Sequence, residues 1–247
     1  MKPARCFVLF LCLSASFFLP QIVPAQNAGA LQYQFQPDQA LRYRLDLQHE
    51  VKMSGGGGQG PPVATKITFQ ASVRMVEADS AGVVTCEARA ENFSARTIIG
   101  AKESVLPASA TGQTVRFRLG SCGLLPGQET LVGSPGLPWN LFLSQVFPDL
   151  TRCRYLGPAV FNGKPCSKIG FDLAALSSAR TEKGNTAQAR DNNQGKGTGL
   201  FADGHLVSGE TQGGVDLACN LSSPERSAGS GGVSAKGVFS SRLFLLP

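Results

Sequence analysis

Seven cysteines and two histidines carry the most reactive side chains in this 247-residue chain. Cys6 and Cys12 fall in an apolar N-terminal run, which leaves Cys86, Cys122, Cys153, Cys166 and Cys219 for disulfide, metal or nucleophile chemistry. None has the Cys-x-x-Cys spacing of a redox pair or a zinc ribbon. Five thiols allow at most two bridges and one odd cysteine. Cys153 and Cys166 flank Asn162-Gly163, the strongest hairpin signal in the sequence. A two-residue turn there sets Phe161 opposite Lys164 and Ala159 opposite Cys166. At about 3.3 Å per residue the two sulfurs then lie roughly 20 Å apart, beyond the reach of a disulfide, and only a looser turn would bring them together. His49 falls on an apolar stripe and reads as a packed residue. His205 directly follows a turn and is expected in solvent. Neither has a second histidine at metal-ligand spacing, so no metal site is expected.

Other catalytic patterns are missing. Gly133-Ser134-Pro135-Gly136 is a proline turn and not a nucleophile elbow. Gly195-Lys196-Gly197-Thr198-Gly199 lacks the third glycine of a dinucleotide fingerprint. The Gly-rich run from Ser54 to Pro62 has no following Lys-Ser/Thr and leads into a strand, so it reads as a hairpin tip and not a phosphate loop. Glu87 and Glu91 flank Arg89 on the polar side of a strand, where solvation explains them. The expectation is a protein without catalytic residues or cofactor, and not an enzyme.

The elements that would position any site follow from periodicity. Leu41, Tyr43, Leu45, Leu47, Val51 and Met53 alternate with Arg42, Arg44, Asp46, Gln48, Glu50 and Lys52, the mark of a half-buried strand. Val63, Ile67, Phe69, Val73 and Met75 repeat the pattern, and Val84, Cys86, Ala88 and Ala90 form a third inward row of small residues. Val115, Phe117 and Leu119 give a shorter strand. Asp203-Gly204 marks a second tight hairpin. Residues 139, 142, 143 and 146 share one helical face, with Pro138 suited to a first turn and Pro148 as the stop, so one short helix is expected between Pro138 and Phe147. Strands joined mostly by hairpins predict a mostly β fold: a curved antiparallel sheet, half-barrel or open barrel, with meander connections and one short helix. Residues 26–247 read as a single β-rich domain with loops near 54–62, 180–197 and 222–232.

Location is legible too. Lys2 and Arg5 precede an apolar run from Cys6 to Leu19, and Val23-Pro24-Ala25 offers a cleavage site after Ala25. This is the layout of a secretory signal over residues 1–25. The run is shorter than the roughly 20 residues that a spanning helix needs, and no later stretch reaches that length. The protein is therefore expected outside the cytoplasm, periplasmic or extracellular, with no transmembrane segment in the mature chain. The formal charge is +6, with only 16 % charged residues. Arg42, Arg44, Lys52, Lys66 and Arg74 occupy polar strand positions and read as a solvated face, without the aromatic interleaving of a nucleic-acid surface.

Phe35-Gln-Pro37, Leu41-Arg42-Tyr43-Arg44-Leu45, Phe147-Pro148-Asp149-Leu150, Phe161-Asn162-Gly163-Lys164-Pro165-Cys166 and Gly197-Thr-Gly199-Leu-Phe201 resemble pieces of a group of exported bacterial β-rich proteins. That resemblance implies a curved sheet similar to the half-barrels of periplasmic lipoprotein carriers, and it supplies no catalytic residues. The expected function is binding of an apolar or lipid-like ligand in the curved sheet. Tyr43, Leu45, Leu47, Ile67, Phe69 and Trp139 would line the site, with the small row Cys86, Ala88 and Ala90 beside them. The alternative is an envelope or extracellular interaction protein that uses its rims, with an envelope protein as partner and no small ligand.

Overall fold

The computed structural model describes residues 31–55, 58–106, 111–125, 139–173, 188–220 and 232–247. The stretch read as an export signal lies outside them.

Alternation builds the fold. Strand β1 (Ala40–Gly55) buries Leu41, Tyr43, Leu45, Leu47 and Val51 and exposes Arg42, Arg44, Gln48 and Glu50. The same two-residue period runs through β2 (Gly58–Ala78), β3 (Val84–Ile99) and β5 (Thr114–Gly120). Short strands β4 (Lys102–Leu106) and β6 (Gly123–Leu124) complete the first half. Helix α1 (Trp139–Val146) and a single 3-10 turn, Leu150–Arg152, separate it from β7 (Arg154–Phe161), β8 (Lys164–Leu173), β9 (Gln188–Ala202), β10 (His205–Asn220) and β11 (Gly232–Leu246). All the strands join one antiparallel sheet in the order β6-β5-β3-β2-β1-β11-β10-β9-β8-β7, with β4 against β3. The sheet is curled into a half-barrel. Two meanders meet where β1 pairs with β11, placing Leu45 opposite Leu243 and Leu47 opposite Ser241.

Both tight hairpins form as the sequence predicts. Asn162 and Gly163 have φ of 49° and 77°, and Asp203 and Gly204 have 51° and 77°, the left-handed pair of a primed turn. Phe161 faces Lys164 and Ala159 faces Cys166. Further along, Gly157 at φ 127° bulges β7 and slips the register. Cys153 and Cys166 are both free thiols, as are Cys86 and Cys122.

Two stretches read as loops prove to be partly strand. From Gln188 onward, the expected 180–197 loop belongs to β9 and pairs with β10. Glycine hid it: the inward positions 195, 197 and 199 carry no side chain to show the period. Phe171 of β8 fills the space instead, since a Cβ on Gly197 would lie 2.5 Å from its ring. Likewise β1 and β2 continue to Gly55 and from Gly58, so most of the 54–62 tip is ladder.

Helix α1 lies against the inner face. Its predicted side, Trp139, Phe142, Leu143 and Val146, is buried, but so are Leu141 and Gln145, so the helix is enclosed on more than one face. The segment before β1 closes one end of the half-barrel. The Tyr33 amide donates to the Ser121 carbonyl at 2.8 Å, its hydroxyl donates to the Pro148 carbonyl at 2.9 Å, and the Gln34 amide donates to Gly204 at 3.1 Å. Phe35 rests edge-on to His205, with ring centroids 5.7 Å apart. His205 is consequently buried and not in solvent, because the turn that precedes it is covered by this segment.

Candidate functional site

The inner face is packed with rings. Phe69 meets Trp139 at 4.9 Å and Phe142 at 5.2 Å, both edge-on, and Tyr43 meets Phe142 at 6.3 Å. Such edge-to-face pairs add to the burial of area that holds a core together. One polar cluster interrupts it. The Gln145 amide donates to Ser241 Oγ at 2.6 Å, and Ser241 shares a hydrogen bond with the Thr211 hydroxyl. Gln145 Oε1, Tyr43 Oη and Trp139 Nε1 are buried without a hydrogen-bond partner.

The opposite face is hollowed. A trough of about 900 Å³ crosses seven strands from β2 to β7. Strand register resolves its floor into two transverse rows. In the first, Thr68, Asp46, Arg242, Glu210, Thr198, Gly170 and Arg154 stand opposite one another in turn. Its charges are mostly spent on each other. Arg242 pairs with Glu210 at 3.2 Å, and Asp46 accepts from Arg44 at 3.0 Å and from the Thr68 hydroxyl at 2.9 Å.

The second row runs Lys66, Gln48, Ser240, Gln212, Lys196 across β2, β1, β11, β10 and β9. Strand spacing of about 4.8 Å puts its two lysines about 19 Å apart. Among the described residues, none of these five side chains has an ion pair, and none has a hydrogen bond to another side chain. Arg154, at the end of the first row, is also without an ion pair there. Five cations and two carboxylates line the trough in all, so its potential is positive. A smaller hollow of about 440 Å³ continues it past Val238.

Several charges elsewhere on this face are matched. Glu87 accepts from Arg74 at 2.8 Å and Arg116 at 3.1 Å, and these bonds, Arg74's first, hold its carboxyl below the usual range. Arg42 pairs with Glu91 and Arg118 with Asp79. The glutamates thus bond to arginines on other strands and not to Arg89.

Of the six residues expected to line a ligand site, Leu47 belongs to the inner core and Ile67 packs against it, and both also border the trough. Tyr43, Leu45, Phe69 and Trp139 lie in the packed inner core, and Cys86, Ala88 and Ala90 lie there too. Cys86 and Cys153 are poor nucleophiles. Burial pushes Cys86 up to about 12, and burial with nearby Asp149 and Asp172 pushes Cys153 up to about 11, so both stay protonated at neutral pH. Among the described residues no cluster of three metal-ligating side chains forms. No helix among them is long and apolar enough to cross a membrane.

Comparison with known proteins adds little at the level of function. No protein-family model matches the sequence, and no curated protein does. A structure described as lipid-protein interactions in lipovitellin is similar at TM-score 0.35 and 10 % identity, over 87 % of this chain and 26 % of that one. The chain therefore spans about a quarter of lipovitellin. DynF from the dynemicin biosynthesis pathway of Micromonospora chersina is similar at TM-score 0.28 and 11 % identity, over 92 % of this chain and 91 % of that one. An acetoacetate decarboxylase-like enzyme from Sphingomonas wittichii RW1 stands at TM-score 0.13 and 10 % identity, over 85 % and 94 %. At these values the likenesses are distant, and the site must be read from its own residues.

Local sequence missed Gln48, Ser240, Gln212 and Lys196. Each sits on the polar side of a strand and looks like ordinary solvated surface. Only the pairing of β1 with β11, and of β9 with β10, brings them into line.

Proposed function

We propose that this is an exported, non-catalytic half-barrel that holds its ligand in the trough on the polar face. One observation supports the reading: a hollow of about 900 Å³ lined in part by polar groups that the fold does not use for itself. Binding clefts commonly fall between 300 and 1,000 Å³ and place a few polar groups to fix orientation. Elsewhere the face spends several of its charges in pairs.

A second reading keeps the ligand apolar and inside, against Tyr43, Leu45, Leu47, Ile67, Phe69 and Trp139. It is favoured by the buried polar atoms of Tyr43, Trp139 and Gln145 that lack partners beside α1, and it requires α1 to move aside.

One experiment separates the two. The protein is recovered from its natural source as wild type and as Ser240→Trp, which fills the trough from an exposed position, and both are weighed by native mass spectrometry. A molecule carried by the wild type and lost from Ser240→Trp supports the trough. An apolar molecule retained by both places the site inside. If neither form carries a molecule, ligand binding gives way to the alternative of an envelope or extracellular interaction protein. N-terminal sequencing of the same material should start at Gln26, and a chain still starting at Met1 rejects export.

A further inference from the structure

We propose that the trough takes an acidic oligosaccharide, a hydroxyl-rich chain with carboxylates spaced along it. This rests on the trough being the ligand site and adds the class of ligand.

The chemistry of the two rows selects it. Lys66 and Lys196 end the second row about 19 Å apart, and Arg154 lies near the Lys196 end. These unpaired cations suit anionic groups separated along an elongated molecule. Between the lysines stand Gln48, Ser240 and Gln212. Carboxamides and hydroxyls both donate and accept, as the hydroxyls of a sugar do.

The first row argues against a uniformly charged chain. Asp46 and Glu210 lie one row away, about 6.8 Å along the strands. They would repel a polyphosphate or a densely sulfated polymer, whereas a sugar hydroxyl can donate to a carboxylate. Asp172 stands opposite Lys196 on β8 without forming an ion pair and sets the same limit on charge density. A lipid chain is disfavoured because the floor of the rows is polar; Leu156 and Val238 are exposed apolar side chains on different strands, β7 and β11.

The test uses the purified protein with three probes: a linear galacturonate hexamer, its fully methyl-esterified form, and linear tetraphosphate. Calorimetry gives affinity, and amide chemical shifts give location. The hexamer should bind and shift the amides of Gln48, Ser240 and Gln212. The ester keeps the hydroxyls and loses the charge, so it should bind at least about tenfold more weakly, a difference of about 1.4 kcal/mol. Tetraphosphate keeps charge alone and should also bind more weakly. The double variant Lys66→Gln/Lys196→Gln should lose about tenfold for the hexamer while melting as the wild type does, because both lysines are exposed. Equal or tighter binding of tetraphosphate, equal binding of the ester, or no binding of the hexamer overturns the proposal. If the hexamer fails while Ser240→Trp still loses the naturally carried molecule, only the ligand class falls. If the hexamer shifts α1 and the inner strands instead, the trough itself is wrong.

Discussion

Leu45 and Asp46 are neighbours in the chain and occupy different worlds. Leu45 is fully buried among rings and aliphatic chains on the inner face. Asp46, on the trough side, is partly exposed and accepts hydrogen bonds from Arg44 and Thr68. The longer strands of both meanders repeat this division, yet the two faces are finished differently. Inside, nearly every group has been given a packing partner. In the trough, a row of five polar side chains has been left without one. A sheet stabilised through one face is free to leave the other unfinished, and an unfinished polar face is where a ligand can be bound without refolding the protein.

The largest break in that contrast comes from Leu45→Asp. It puts a carboxylate into apolar surroundings without a partner and should cost several kcal/mol or prevent folding. Asp46→Leu loses two surface hydrogen bonds and should cost about 1 kcal/mol. Denaturant midpoints that rank Asp46→Leu as the worse would invert the two faces.

Gly213→Ala should follow, at about 2–3 kcal/mol. A Cβ there would collide with the Gln194 carbonyl and the Gly195 Cα, which are backbone and cannot swing away. Thr198→Ala, on the trough side of the neighbouring strand, should change stability by less than about 0.5 kcal/mol. Equal melting temperatures for the two would show that the inner face tolerates bulk.

The buried polar cluster gives a finer test. Ser241→Ala strands the Gln145 amide and the Thr211 hydroxyl and should cost about 2 kcal/mol, whereas Gln145→Leu leaves Ser241 and Thr211 bonded to each other and should cost about 1 kcal/mol or less. The reverse order in urea melts would mean that Gln145 has a role other than its bond to Ser241.

The pH dependence is smaller and has a fixed sign. Burial lowers the pKa of His205, with Asp203 opposing, and burial lowers that of His49. The unfolded chain then binds more protons than the folded one as pH falls through about 6.5. Stability should decline on acidification from that point and level off below the folded-state pKa values. His205→Phe should flatten part of the slope and leave the part due to His49. A variant as steep as the wild type would remove His205 from the account.

The alternation of β1, β2 and β3 was legible because their inward residues are apolar and their outward ones polar, and the primed hairpins because only a few dipeptides reach positive φ at two successive positions. Much of β9 was not, because Gly195, Gly197 and Gly199 leave their space to Phe239, Phe171 and Leu206 from other strands. His205 was misread because its cover comes from Phe35, far away in sequence. The site was less legible than the fold. Apolar residues announce burial by type, but Lys66, Gln48, Ser240, Gln212 and Lys196 gain meaning only from being aligned, and no local pattern encodes the register of five strands.

The junction of β1 with β11 has a consequence for how the molecule is made. Ser54 and Ser234 hydrogen-bond across it at 2.9 Å although they stand 180 positions apart. Until β11 has left the ribosome, β1 is an open edge with a greasy side, able to recruit a strand from another chain. The meander of β1 to β6 gains the partner of β1 only after the other strands have been synthesised, because β11 follows them all in the chain. Pairing over such distances is intrinsically slow. Chains cut short before Gly232 are therefore expected to aggregate rather than to accumulate as folded halves.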